Sequence, residues 1–512
     1  MKIIMFNLKI LLLSLFISKE KSLRLLNRVS EIKLTIKGKC KQTFIRTHTN
    51  ESDYFKNAPG SVYVNEEMSY GGVYDLTFPK DENEVKVTFK DDVLSTGYMF
   101  LNVKNITRID LSNFDASKVT YMMGMFFGCT SLTSINLTNF DTSASTNFWY
   151  MFGECSSLQN LNLESFDTKS ITTMNSMFIN CISLKILDLR SFDTKNVKNM
   201  QEMFSGCTNL ISLNLESLDV SSVTIMYRMF YNCNNLITLN IQNINISSVR
   251  IMKEMFSGCS SLITLDLGHF YTPSLTNMIQ MFFNCNSLVY LNLENFDTSF
   301  ITNMSLLFYN CTSLIELKIN NFNTSLVKTM QGMFYECHSL KSLNLNHFDT
   351  SSVNDMSFMF SKCYSLEHLQ LDNFNTLNVD NMKGMFYFCK SLISLNLDSF
   401  DTSNVINMDG MFRDCQKLQT LEIINFVSNP SLSMNQMFYN CYSLISLDLY
   451  NFKIEKLKIY ASSAHLAFGS INQTLIYCIN ISSEDTPLNG LSNGILDCPY
   501  LCLKKEENIL MN

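Results

Sequence analysis

Residues 281–306 read MFFNCNSLVYLNLENFDTSFITNMSL, and residues 307–314 restart the same phrase as LFYNCTSL. Cys285 and Cys311 are 26 residues apart. The same step joins Cys129, Cys155, Cys181, Cys207, Cys233, Cys259, Cys285, Cys311, Cys337, Cys363, Cys389, Cys415 and Cys441, with no insertion anywhere. A Phe stands three residues before each of these thirteen cysteines and a Leu three after. A Met stands four before in every unit except the one carrying Leu307. The frame reaches back one more unit, where Val103 takes the cysteine position behind Met99 and Phe100, so about fourteen units are counted.

Each unit has a physical reading. After Cys207 come Leu210, Leu213 and Leu215, in which the last two point the same way from a short strand and their neighbours face out. Before it, Val197, Met200 and Phe204 recur at steps of three and four, which predicts one face of a helix of two to three turns. The residue preceding the cysteine is Gly or Asn in eight units (Gly128, Asn180, Gly206, Asn232, Gly258, Asn284, Asn310 and Asn440), as where a left-handed residue ends a helix. The return carries Phe-Asp-Thr-Ser, as at Phe296–Ser299, whose Asp and Ser side chains suit bonds to nearby N–H groups. A single unit of this kind cannot bury its own Leu, Met, Phe and Cys. Stacked units can, with parallel strands ~4.8 Å apart and each residue type forming a ladder.

Written out, the unit is Met-Phe-x-x-Cys-x-Ser-Leu-x-x-Leu-x-Leu-x-x-Phe-Asp-Thr-Ser-x-Val-Thr-Asn-Met, which closely resembles the 26-residue surface-protein repeat of the BspA-like leucine-rich-repeat family. The resemblance implies an α/β leucine-rich-repeat solenoid of about fourteen coils, with short parallel strands on one face and short helices on the other. It also implies a secreted or surface-displayed protein acting in adhesion or in protein or glycan interaction, and it brings no catalytic residue. Phe148, Leu218 and Ile244 depart from the repeat and read as core substitutions.

The repeat sets the boundaries. Residues 1–21 read as a signal peptide: Lys2 and Lys9 precede the apolar run Ile10–Ile17, which is far short of the ~20 residues that cross a bilayer. A buried N-terminal strand is the alternative for that run. Residues 22–98 are expected to form a small all-β N-terminal cap, from the runs Glu31–Ile36, Ser61–Val64 and Glu84–Phe89. The solenoid occupies 99–452, and 453–512, with Cys478, Cys498 and Cys502, form a C-terminal cap or tail.

Net charge −7 with 17% charged residues argues against a general nucleic-acid binder. The six histidines are scattered outside any zinc or nucleophile motif, so no enzyme, metal or cofactor is expected. The thirteen ladder cysteines suit free buried thiols, although their spacing also falls within reach of disulfides or soft metals.

Function is therefore sought on outward positions. Seven residues after each cysteine the chain is always polar, and with the positions five and nine after it the face carries ten acids against Arg190 and Lys318. The candidate binding face is Asn162, Glu164, Asp188, Asn214, Glu216, Asn240, Asp266, Asn292, Glu294, Glu316, Asn344, Asp372, Asn396 and Asp398. Its expected partner is an extracellular or cell-surface protein or glycan, cationic or hydroxyl-rich, held by many weak contacts. Two other readings stay open: side-chain amide bonds between coils, and a structural coat or matrix component without a discrete ligand.

Overall fold

The 26-residue period is realised as one coil per repeat in the computed structural model, which describes residues 30–43, 59–69, 75–242, 244–427, 431–449 and 476–479. The expected signal peptide and nearly all of the expected C-terminal cap lie outside those residues. The chain divides into two compact units, Met1–Asn196 and Val197–Asn512.

In the first unit the strands are β1 (Ser30–Lys37), β2 (Cys40–Thr43), β3 (Ser61–Val64), β4 (Glu67–Met68), β5 (Asp75–Phe78), β6 (Glu82–Phe89), β7 (Ile106–Asp110) and β8 (Ser134–Asn136). The alternating runs of the expected cap are β1, β3 and β6. Ile32, Leu34 and Ile36 of β1 and Val85, Val87 and Phe89 of β6 are buried, which is what a strand period of two demands. Asn83 is fully buried among them because its Nδ2 donates to the carbonyls of Lys80 and Gly38 (2.7 and 3.3 Å), and its Oδ1 accepts from the Lys80 N–H (3.0 Å). Strand β1 pairs antiparallel with β6 on one side and with β7, the strand of the first coil, on the other. The first coil's open main-chain edge is thereby occupied. Strand β7 then pairs in parallel with β8, setting Ile109 beside Ile135.

In the second unit each coil contributes a short strand at the L-x-L segment: β9 (Ser212–Asn214), β10 (Thr238–Asn240), β11 (Thr264–Asp266), β12 (Tyr290–Asn292), β13 (Glu316–Lys318), β14 (Ser342–Asn344), β15 (His368–Gln370), β16 (Ser394–Asn396), β17 (Thr420–Glu422) and β18 (Ser446–Leu449). A last strand, β19 (Ile476–Ile479), pairs in parallel with β18. The register is one repeat per rung: Leu265 faces Leu291, and Leu291 faces Leu317. A second parallel contact, one residue wide, runs eight residues before the cysteines, as at Ile225 to Ile251 to Asn277.

The helices expected on the other side of each coil are absent: no helix occurs among the described residues. Backbone φ is positive at two places per coil, five residues and one residue before the cysteine, as at Gln280 and Asn284 (56° and 60°) or Glu254 and Gly258 (56° and 79°). A left-handed residue at every fourth position is incompatible with an α-helix. The segment is instead a run of overlapping turns. The N–H groups of Met281, Phe283 and Cys285 bond back three residues to Met278, Gln280 and Phe282 (3.2 Å each). The intervening N–H groups of Gln280, Phe282 and Asn284 cross to Ser305, Leu307 and Tyr309 of the next coil (3.3, 3.1 and 2.8 Å). Positive φ at the third residue of a turn is the type II requirement. Steps of three and four arise here because Leu275, Met278, Met281, Phe282 and Cys285 sit where these turns begin and end. All eight Gly and Asn positions read as left-handed are so, and so are Glu154, Glu336, Lys362, Phe388 and Asp414 in the other five units.

Ladders hold the coils together. Consecutive phenylalanines stack at 5.6 Å between Phe204 and Phe230, 5.7 Å between Phe256 and Phe282, and 5.5 Å between Phe412 and Phe438. Such pairs contribute about 0.5–1.5 kcal/mol each beyond area burial. The thirteen ladder cysteines are free and buried, and their S–H groups donate to the carbonyl of the previous coil's Phe, as Cys285 does to Phe256 (3.2 Å) and Cys311 to Phe282 (3.1 Å). The same carbonyl already accepts the N–H three residues on, so the thiol fills its second lone pair. Buried Thr298 donates to the Asn323 carbonyl of the next coil (2.8 Å), while Thr272 accepts the Asp297 N–H (2.9 Å). That explains Thr in the Phe-Asp-Thr-Ser return, and Asp297 there caps the Ser299 N–H (3.0 Å).

Candidate interaction face

Positions five and seven after the cysteines point outward, with Asn292 as an exception, because the apolar residues at six and eight are turned inward. The seventh residue has local work as well. Its side-chain oxygen accepts the N–H two residues on, as Asn162 does from Glu164 (2.9 Å), Asn214 from Glu216 (3.0 Å), Asp266 from Gly268 (2.9 Å), Asn344 from Asn346 (3.0 Å) and Asn396 from Asp398 (2.9 Å). Asn240 makes the longer version with Gln242 (3.5 Å). Asn and Asp are thus favoured at this place, although Lys318, Gln370 and Glu422 end the strand in three coils.

In the first unit Asn162, Glu164 and Asp188 are exposed and line a shallow concavity with Leu161, Ile186 and Arg190. The Arg190 guanidinium grips Asp188 with two nitrogens, Nη2 to Oδ2 at 2.6 Å and Nε to Oδ1 at 3.0 Å, and holds that carboxyl down at about 2. These two charges cancel locally. Glu164 supplies the net charge of the hollow.

In the second unit Asn214, Glu216, Asp266, Glu294, Glu316, Asn344, Asp372 and Asn396 are exposed, and Asn240 and Asp398 are half-buried. Asn292 departs from the expected outward face: it is buried against Gly268, whose missing side chain leaves room for its amide, and its Nδ2 donates to Asp266 (3.0 Å). Similar inter-coil bonds link the Asn240 amide to Glu216 (3.1 Å) and the Asn346 amide to Asp372 (2.9 Å). Lys318 lies 3.7 Å from Glu316 and over the Tyr290 ring. Among the described residues no group of His, Cys, Asp and Glu is placed to hold a metal ion, and no helix is long and apolar enough to cross a membrane.

The structure adds a column that sequence reasoning passed over. Four residues after the cysteine, Ile211, Ile237, Ile263 and Ile315 are 46%, 44%, 47% and 60% exposed, with half-buried Val289 in the rung between the last two. The signal was available, since the outward residues of five successive units are β-branched and apolar there.

Residues 94–212, 200–291, 276–394 and 366–474 match the family described as "Mycoplasma protein of unknown function, DUF285", together most of the chain. The chain belongs to this family. Its DUF285 stretches span the coils described above. No curated protein matches the chain. Among solved structures it is similar to TLR13 in a complex with ssRNA13, with 19% identity over 73% of this chain and a TM-score of 0.27. The match spans 58% of that chain's length. It is also similar to a leucine-rich repeat protein from Eubacterium ventriosum ATCC 27560, with 14% identity, coverage of 64% of this chain and 86% of that one, and a TM-score of 0.26.

Proposed function

We propose that this DUF285 protein is a secreted or surface-displayed, non-catalytic interaction protein of BspA-like character, which binds a protein or glycan partner through the outward face of its strand ladders. The observation that carries the reading is the exposed group of carboxylates Glu216, Asp266, Glu294 and Glu316, which stand nine, seven, nine and five residues after their cysteines on main chain that neighbouring coils hold fixed. Several like charges on one rigid support favour a cationic or hydroxyl-rich partner and gain strength from acting together. The apolar run Ile10–Ile17 behind Lys2 and Lys9 supports export. The test presents the full chain to cells, extracellular matrix and a glycan array, beside a Glu164→Lys, Glu216→Lys, Glu294→Lys variant. The variant is expected to bind at least tenfold more weakly and with altered salt dependence. Unchanged capture by the variant would move the site off this face.

A further inference from the structure

From the isoleucine column and the acids beside it, we infer that the second unit docks a basic amphipathic α-helix, laid along the stack with its apolar ridge on Ile211, Ile237, Ile263, Val289 and Ile315. The inference rests on the binding role proposed above and names the partner's chemistry. The column is contiguous, and polar residues end it: the rung after Ile315 carries Lys341. It is also rigid, because the Ile237 N–H bonds to the Ile211 carbonyl (2.9 Å), that of Val289 to Ile263 (2.8 Å) and that of Ile315 to Val289 (3.0 Å). Exposed apolar patches on the scale of ~300–600 Å² commonly serve binding in monomeric proteins.

Spacing selects the helix. Five rungs at ~4.8 Å span about 19 Å. Apolar residues at alternating three- and four-residue steps of an α-helix recur every ~5.3 Å, so five of them span about 21 Å and drift by less than half a rung. Same-side residues of an extended segment recur every ~6.7 Å and lose register by more than a whole rung of ~4.8 Å within three steps. Charge selects the flank. Alongside the apolar column in these five coils stand Glu216, Asp266, Glu294 and Glu316 with Lys318 as the single base, so the helix needs Lys or Arg beside its ridge.

The probe is a 16-residue peptide with leucines at three- and four-residue steps and lysines on one flank, titrated against the full chain by fluorescence anisotropy. Ile237→Gln with Ile263→Gln is expected to weaken binding about tenfold or more. Ile393→Gln, at the same position outside the column, is expected to leave it unchanged and reports on substitution alone. A peptide with glutamate in place of lysine, and one of the same composition broken by a central proline, are expected not to bind. Equal binding by the proline-broken peptide, or indifference to the double isoleucine change in a chain whose melting temperature is intact, would overturn the inference. If cells or matrix still capture the chain in a manner sensitive to the three glutamate changes, the broader binding role survives that outcome.

Discussion

Cys285 illustrates what one side chain does in this fold. Its thiol is fully buried, donates to the Phe256 carbonyl at 3.2 Å, and is pushed well above the usual thiol range, first by burial and then by its neighbours Cys311 and Cys259. Cys259 and Cys311 are raised from 9.0 to about 12 for the same first reason. The unfolded thiol ionises near 9.0, so between there and about 12 the unfolded chain loses protons that the folded chain keeps. Stability is therefore intact below pH 9 and falls as pH rises through this window, by up to ~1.4 kcal/mol per pH unit for each such thiol. The urea midpoint is expected to drop steeply from pH 8 to pH 10.5, and by about a quarter less in a chain in which three of the thirteen ladder thiols, Cys259, Cys285 and Cys311, are changed to Ala. A midpoint independent of pH over that range would show that the ladder is not made of buried protonated thiols.

At the scale of the coil, the turn run before the cysteine depends on its left-handed residues. Gly258 has φ of +79°, and a Cβ there would collide with the Asn232 side chain, whereas a Cβ on Gly410, at φ +61°, would meet only ordinary contacts beginning at 3.6 Å. Gly410→Ala is expected to cost about 1 kcal/mol, the backbone penalty alone, and Gly258→Ala about 2 kcal/mol or more, because Asn232 must also move. Thermal melts of the two variants check the order, and equal losses would mean that only the backbone matters. The strands, the left-handed position next to eight of the thirteen cysteines and the inward ladders were legible in the sequence, because each rests on a recurring residue type. The helix was misread because Val197, Met200 and Phe204 carry the same three- and four-residue steps whether the chain closes its amide bonds on itself or sends every second one to the next coil. Only the second left-handed site distinguishes the two; Gly124, Gly332, Gly384 and Gly410 there were a signal passed over, whereas occupants such as Gln280, Leu306 and Phe358 give no warning in their chemistry. The outward acids were equally legible, while the burial of Asn292 depends on the glycine one coil away, a relation visible only once the register is known.

Over the whole stack, equal repeat length is the property on which register depends. Between repeats, each rung matches a residue with the one 26 positions away, as Asn381 pairs with Asn407 and Leu395 with Leu421. Stability in such an array is close to a sum of coil and interface terms, so removing one whole period removes one coil and rejoins identical surfaces. Deleting residues 364–389 joins Cys363 to Lys390, with each column still continuous. The shortened chain is expected to melt in one cooperative transition, with a urea m-value reduced by about one coil's share of the buried surface. Deleting only residues 364–376 sets strands of one side of the break against turns of the other, and places inward Met and Phe opposite polar return residues. That chain is expected to lose cooperativity and a large part of its ordered signal in circular dichroism. Similar behaviour of the two deletions would mean that the coils fold without reference to their neighbours' register, and would overturn the weight placed on the N–H bonds that cross between turn runs.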